Sequence, residues 1–253
     1  GTVGYVGGFN IGKEYIGLDP KFGHWRDTHL RIRGSAAAAL LIRYIQDWDY
    51  AARENLFSHP EYIVYPEERC GDTKMQIISS GPDSALQVIR DNYLRLIHKA
   101  KKRIYVQTPY FIPDESILTA LKMAALSGVE VNLMIPCKPD HPFVYWATYS
   151  YMGELVMAGA NCYTYDNGFL HVKGVSIDGE ACCFGTANMD IRSFSLNFEV
   201  NAMIYDEKVA REMERIFQED LKLCTRITKD MYQGRSLWIR FKEQICRLLS
   251  PVL

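Results

Sequence analysis

Three observations on this chain of 253 residues predict a layered α/β fold with a mixed sheet. Apolar runs with strand alternation take turns with stretches of helical period along most of the sequence. Gly, Pro, Asp and Ser fall at the joints between these segments, where turns and helix caps need them. The pair Asp178-Gly179 is a favoured tight turn that joins two neighbouring β-rich runs, so part of the sheet must be antiparallel.

Taken in order, Gly1 to Val6 reads as a strand entering a glycine-rich turn, and Thr28 to Arg33 alternates as a half-buried strand. Ser35 to about Leu56 is alanine-rich with apolar residues at helical spacing, and Ser35 is placed to cap it. Leu56 to Thr73 holds two prolines and many charges without a period, and reads as a loop or linker. Met75 to Ile78 is a short strand, Asp83 or Ser84 opens a helix reaching about Lys101, and Ile104 to Gln107 is the next strand. Pro113-Asp114 opens a helix ending near Gly128, and Val129 to Ile135 is strongly β-forming. Pro142 to about Ala158 forms a helix closed by Gly159. Cys162 to Tyr165, Leu170 to Ile177, Ala181 to Phe184 and Phe198 to Tyr205 read as strands, and Glu207 to about Cys224 as an amphipathic helix.

Bulk properties narrow the function. The net charge is −1, so no global positive field draws a polyanion and no nucleic-acid partner is expected. The seven cysteines are odd in number and irregularly spaced, and Cys182-Cys183 lies inside an apolar run, which is the usage of a reducing compartment. Glycine-rich nucleotide loops are absent, and His24, His29, His59 and His98 lack metal-ligand spacing, so neither cofactor nor metal is expected. His141, in Asp140-His141-Pro142, falls in a turn.

The chemistry concentrates in one stretch. His171 and Lys173 are followed by Asp178 and then by Gly185-Thr186-Ala187-Asn188, giving H-x-K-x4-D-x6-G-T-x-N. An imidazole can attack phosphorus or carry a proton, while an ammonium, an amide and a hydroxyl can hold phosphate oxygens. Residues two apart on a strand share a face, so His171 and Lys173 are expected to point one way. The chain turns back at Asp178-Gly179, and the returning strand brings Thr186 and Asn188 to the same face. A carboxylate must fix the imidazole tautomer, and Glu199 or Asp178 is placed to do so.

The first ten residues carry a second, partial copy. With Gly1 laid on Gly179, Gly7 falls on Gly185 and Asn10 on Asn188, with apolar residues opposite apolar residues at positions 3, 5 and 6. Counterparts of His171, Lys173 and Asp178 would lie before Gly1, so the chain reads as a fragment beginning one residue after the first copy's aspartate.

Together, His171, Lys173, Asp178, Gly185, Thr186 and Asn188 resemble the HKD signature of the phospholipase D superfamily. The bacterial cardiolipin synthase branch is resembled by Gly7 to Gly12, Trp25 to His29, Gln107 to Pro113, Arg192 to Glu199 and the ending Ser250-Pro251-Val252-Leu253. The resemblance implies a phospholipase D-like mixed sheet flanked by helices, with the second catalytic half complete and the first truncated. It divides the chain into residues 1–70, a first-half remnant plus linker; 71–230, the half that holds the motif; and 231–253, an amphipathic C-terminal helix. It further implies a phosphatidyltransferase that joins two phosphatidylglycerols through a phosphohistidine, releases glycerol and needs no metal.

In that scheme His171 does acid–base work oriented by Glu199, and Lys173, Thr186, Asn188 and Asn10 bind phosphate. Asp27 orients the absent first histidine. Gly8 stands where many relatives have serine. Phosphatidylglycerol or another phospholipid, at the membrane of a bacterial cell, is the expected partner. The fragment alone is expected to be inactive unless a homodimer pairs two copies of His171. A phosphodiester hydrolase or nuclease on the same fold, and a non-catalytic lipid- or phosphate-binding module, are the alternatives.

Two features stay open at this level. The run Phe143 to Tyr151 is rich in Tyr and Trp, and suits either an acyl-chain groove or ordinary helix packing. In residues 236–253, Leu237, Trp238, Phe241, Ile245, Leu248 and Leu249 fall near one helical face among basic residues. That pattern suits a helix lying on an anionic bilayer or one docked on the core.

Overall fold

The computed structural model describes residues 1–64, 70–138 and 140–252. It opens with strands β1 (Val3–Gly7), β2 (Trp25–Arg26) and β3 (His29–Arg33), then helix α1 (Ser35–Ala52). Next come β4 (Lys74–Ser80), α2 (Val88–Lys99), β5 (Arg103–Gln107), β6 (Phe111–Ile112), α3 (Glu115–Leu126) and β7 (Glu130–Pro136). After α4 (Pro142–Ala158) follow β8 (Asn161–Tyr165), β9 (Phe169–Leu170), β10 (Gly174–Ile177), β11 (Ala181–Gly185) and β12 (Met189–Asp190). The chain continues as α5 (Ile191–Ser195), β13 (Glu199–Tyr205), α6 (Glu207–Leu221), β14 (Cys224–Ile227), α7 (Lys229–Gln233) and α8 (Leu237–Leu248).

Eight strands form the main sheet in the order β14-β8-β7-β5-β10-β11-β13-β4. The sheet is mixed: β5, β7 and β8 run parallel, and every other neighbouring pair is antiparallel. Strand alternation explains its two packed faces. On β5, Ile104 and Val106 point into a core shared with α2, α3 and α4, while Tyr105 points to the opposite face against Phe217 of α6. Fully burying such side chains contributes about 1.5–3 kcal/mol each, which is why both faces are covered by helices.

The first segment repeats part of this plan. Strands β1 and β3 pair antiparallel with Gly7 opposite His29, as β11 and β13 pair with Gly185 opposite Asn201. Each pair leads into a helix, α1 in one case and α6 in the other. The repeat read from Gly7 and Asn10 therefore extends over a second strand and a helix. Counting two residues back from His29 and from Asn201 makes Asp27 the counterpart of Glu199.

Several sequence expectations are corrected. The cap of α1 is Gly34, at φ 87°, and Ser35 lies inside the helix; only glycine turns so sharply from β3 without strain. Helix α2 starts at Val88 rather than near Asp83, because Ser80 Oγ at the end of β4 accepts from Ile89 N at 2.9 Å and supplies the cap from outside. The run Leu170 to Ile177 is not one strand: β9 stops at Leu170 and β10 begins at Gly174, leaving His171, Val172 and Lys173 between them. Strand β14 was not anticipated, and the loop or linker expected over Leu56 to Thr73 lies outside the described residues at positions 65–69. Among the described residues no helix is long and apolar enough to cross a membrane.

Candidate active site around His171

The site forms where the first segment meets the main sheet. Strand β2 pairs in parallel with β9, Trp25 opposite Phe169 and Arg26 opposite Leu170. His171 N extends this pairing by donating to Arg26 O at 2.7 Å. Arg26 is in turn held by Asp220 of α6 through two hydrogen bonds of 2.8 Å, and Gln107 Nε2 donates to the same carboxylate at 2.9 Å. This clasp fixes the next residue, Asp27, against the imidazole: His171 Nδ1 lies 2.8 Å from Asp27 Oδ2.

That contact sets the tautomer. A carboxylate accepts, so Nδ1 carries the proton and Nε2 presents its lone pair to whatever enters. Aromatic rings wall the imidazole, with Trp25 at 4.9 Å and Tyr15 at 5.6 Å between centroids, and Phe169 stacked on Trp25 at 4.8 Å. Burial lowers the pKa of His171, and the bond to Asp27 works against that shift. Gly8 packs against the same carboxylate: a Cβ there would lie 2.5 Å from Asp27 Oδ1. The missing hydroxyl at position 8 is thus matched by a carboxylate filling its space.

Lys173 is buried, and its Nζ donates to His171 O at 2.8 Å. Burial pushes its pKa down to about 7, against the opposing fields of Asp27, Glu199, Asp190 and Asp140. Four carboxylates drawn from both segments thus act on the ammonium. Across the site, Glu199 is buried and accepts from the Thr186 hydroxyl, and Asn197 Nδ2 donates to its other oxygen at 3.1 Å. Asn188 Oδ1 is buried without a hydrogen-bonding partner, while the same side chain bonds Asp190. Asp190 caps α5 by accepting from Ser193 N at 2.6 Å, and burial pushes its pKa up to about 6. Asn10 Oδ1 accepts from Ile11 N at 2.9 Å, and its side chain bonds Tyr15, one ring away from His171.

Two expected roles change. Glu199 does not orient His171; Asp27 does, and Glu199 holds Thr186 instead. Asp27 reaches across the seam to His171, whereas Glu199 is bonded by Thr186 and Asn197 of its own half. Asp178 is not at the site. It occupies the far end of β10 at φ 55°, where its carboxylate accepts from the backbone N–H groups of Lys101, Lys102 and Arg103 at 2.8–2.9 Å. Burial acts to raise its pKa, but these donors outweigh it and hold the carboxyl below its usual range. Asp178 thus locks the hairpin that carries Lys173 and Thr186.

Sequence reasoning passed over other residues at the site. Tyr110 donates to Asp140, and burial together with that carboxylate raises its pKa. Tyr110 lay inside the stretch Gln107 to Pro113, where nothing distinguished it from packing. Asp190 was hidden because its burial is a tertiary property.

Residues 93–221 match the family described as cardiolipin synthase, PLD-like domain. The cardiolipin synthase of Listeria welshimeri is 54% identical over the whole of this chain, which covers 52% of that relative. The major cardiolipin synthase of Bacillus subtilis is 52% identical over 100% of this chain and 52% of its own length. The chain thus spans about half the length of the curated relatives it matches. Among solved structures, the phosphatidylserine synthase of Haemophilus influenzae superposes with a TM-score of 0.71 at 14% identity, covering 100% of this chain and 69% of that one.

Proposed function

Because the chain belongs to the PLD-like domain family of cardiolipin synthases, we propose that it forms one half of a phosphatidyltransferase site that makes cardiolipin from two phosphatidylglycerol molecules. The observation that carries this reading is the His171–Asp27 pair beside the buried Lys173, which would supply a proton carrier and a phosphate ligand side by side. In the first step a second imidazole, from an equivalent motif, attacks the phosphorus of phosphatidylglycerol. The bond from phosphorus to the glycerol oxygen breaks, and His171, entering this step as the imidazolium, gives that oxygen its Nε2 proton and is left with the Nδ1 proton held by Asp27. In the second step Nε2 takes the proton from the free hydroxyl of another phosphatidylglycerol as that oxygen displaces the phosphohistidine. One glycerol is released, and both imidazoles return to their starting states.

Lys173 neutralises the phosphoryl oxygens as charge develops, with Thr186 and Asn188 supplying further polar contacts and Asn10 lying on the other side of His171. Glu199, the counterpart of Asp27 in the repeat, is the group that would orient the second imidazole. The sequence has a single H-x-K-x4-D motif, so the 253-residue chain alone is expected to turn over little or no lipid.

The test is product analysis with labelled phosphatidylglycerol, using a protein of the relatives' full length that contains this chain. Cardiolipin plus glycerol, abolished by His171→Ala with the circular dichroism unchanged, supports the reading. Phosphatidic acid as the product makes the site a hydrolase. Vigorous transfer by the isolated chain as a monomer overturns the two-imidazole mechanism.

A further inference from the structure

Helix α8 is docked and exposed at once. Its inner face is fixed by Glu243, 1% exposed and paired with Arg235 at 2.8 Å, and by the buried Cys246. Its outer face leaves Leu237 at 81%, Trp238 at 63%, Phe241 at 55% and Leu248 at 77% exposed, with Ile245 and Leu249 beside them. At about 100° per residue these six side chains occupy an arc of about 120°. Trp238 and Phe241 stack at 5.7 Å across the first turn of that arc. A monomer in water has no reason to keep so many large apolar groups together.

The charges on the helix choose the occupant. Its one acidic residue, Glu243, is buried in its ion pair, so it presents no negative charge to solvent. Arg247 is compensated by Glu154. Arg240 and Lys242 remain, one on each flank of the apolar arc, and Lys242 lies 5.4 Å from the Trp146 ring and 5.5 Å from Trp238. An apolar stripe flanked by cations, with aromatic rings among them, complements an anionic bilayer surface.

We propose that the outer face of α8 is a docking surface for anionic phospholipid bilayers. The choice of a bilayer as occupant rests on the lipid-substrate reading above, but the binding itself does not. The test is co-sedimentation of the whole chain with phosphatidylglycerol vesicles and with phosphatidylcholine vesicles. Three proteins are compared: the parent, Trp238→Ser/Phe241→Ser, and Arg240→Gln/Lys242→Gln. Trp238, Arg240 and Phe241 are exposed and Lys242 is half-buried, and unchanged circular dichroism checks the fold.

The parent is expected to bind phosphatidylglycerol vesicles. Loss of the aromatic pair weakens that binding at least about tenfold, and loss of the two cations weakens it about 30-fold at low salt. Equal binding by parent and variants, equal affinity for phosphatidylcholine, or no binding overturns the proposal. So does a concentration-dependent dimer that Trp238→Ser/Phe241→Ser abolishes, because a second copy then covers the face. Vesicle binding without turnover in the full-length protein leaves the docking face standing while removing the catalytic reading. Cardiolipin synthesis with vesicle affinity unchanged in the variants does the reverse.

Discussion

His171 takes its acidic partner from a segment 144 residues earlier in the chain, with Nδ1 2.8 Å from Asp27 Oδ2. The imidazole and its carboxylate thus belong to different repeats, and the seam between the repeats is the site itself. In the proposed mechanism, Asp27→Asn leaves the side chain's size intact and removes its power to fix the Nδ1–H tautomer. Transfer in the full-length protein is expected to fall by about 10³–10⁴, as for other histidines deprived of their carboxylate. Asp27 also raises the pKa of His171, so the acid form of the residual activity should be lost at lower pH than in the parent. A pH profile of kcat measures both effects.

Arg26→Met tests the clasp. It leaves the Asp220 carboxylate buried with Gln107 as its remaining donor, at an expected cost of about 3 kcal/mol in urea unfolding. Arg26→Met/Asp220→Leu removes the stranded charge and should recover most of that loss. A double variant as unstable as the single one would show that β2 is held by something other than this pair.

Asp178→Asn should lower stability at pH 7 by about 1–3 kcal/mol while leaving turnover per folded molecule unchanged, since three backbone donors lose a charged acceptor far from His171. Asparagine tolerates the positive φ, so the backbone is not strained. The folded-state pKa of Asp178 is depressed, so its contribution is present above the unfolded value and lost as pH falls through the folded one. The gap between parent and variant is therefore largest near neutrality and closes in acid, which denaturation at pH 7 and pH 3 would show.

Lys173→Met abolishes the proposed phosphate binding, and its effect on stability has a definite sign. With a folded pKa near 7 and a free value near 10.5, the unfolded chain binds the extra proton between those limits, so the parent gains stability as pH rises through that window. Below pH 7 the buried ammonium costs on the order of a few kcal/mol that methionine does not. Unfolding midpoints at pH 6 and pH 10 should thus move in the parent's favour with rising pH. A pH-independent gap would mean that the ammonium is better solvated than its burial implies.

Much of the architecture was legible in order. The helix from Pro142 to Ala158 follows from its opening proline and closing Gly159, the helix after Asp206 from its cap and apolar period, and the hairpin at Asp178-Gly179 from its turn chemistry. The boundaries that went astray, at Ser35 and Asp83, did so where a residue outside the helix took over the cap or a glycine made the turn. The break between β9 and β10 was passed over because Leu170, Val172, Val175 and Ile177 are strand-forming on either side of Gly174; His171 is instead tied to Arg26 and Asp27.

The residue types and spacing from His171 to Asn188 point on their own to the chemistry proposed for the site, since imidazole, ammonium and amide at those intervals suit a phosphodiester. The repeat between residues 1–10 and 179–188 was likewise readable, because Gly1, Gly7 and Asn10 keep the spacing of Gly179, Gly185 and Asn188. Which carboxylate serves which histidine was decided only by the folded chain. Asp27 and Glu199 carry the same group on equivalent strands, and a hydrogen bond of 2.8 Å depends on how the two halves close on each other, which no local spacing encodes.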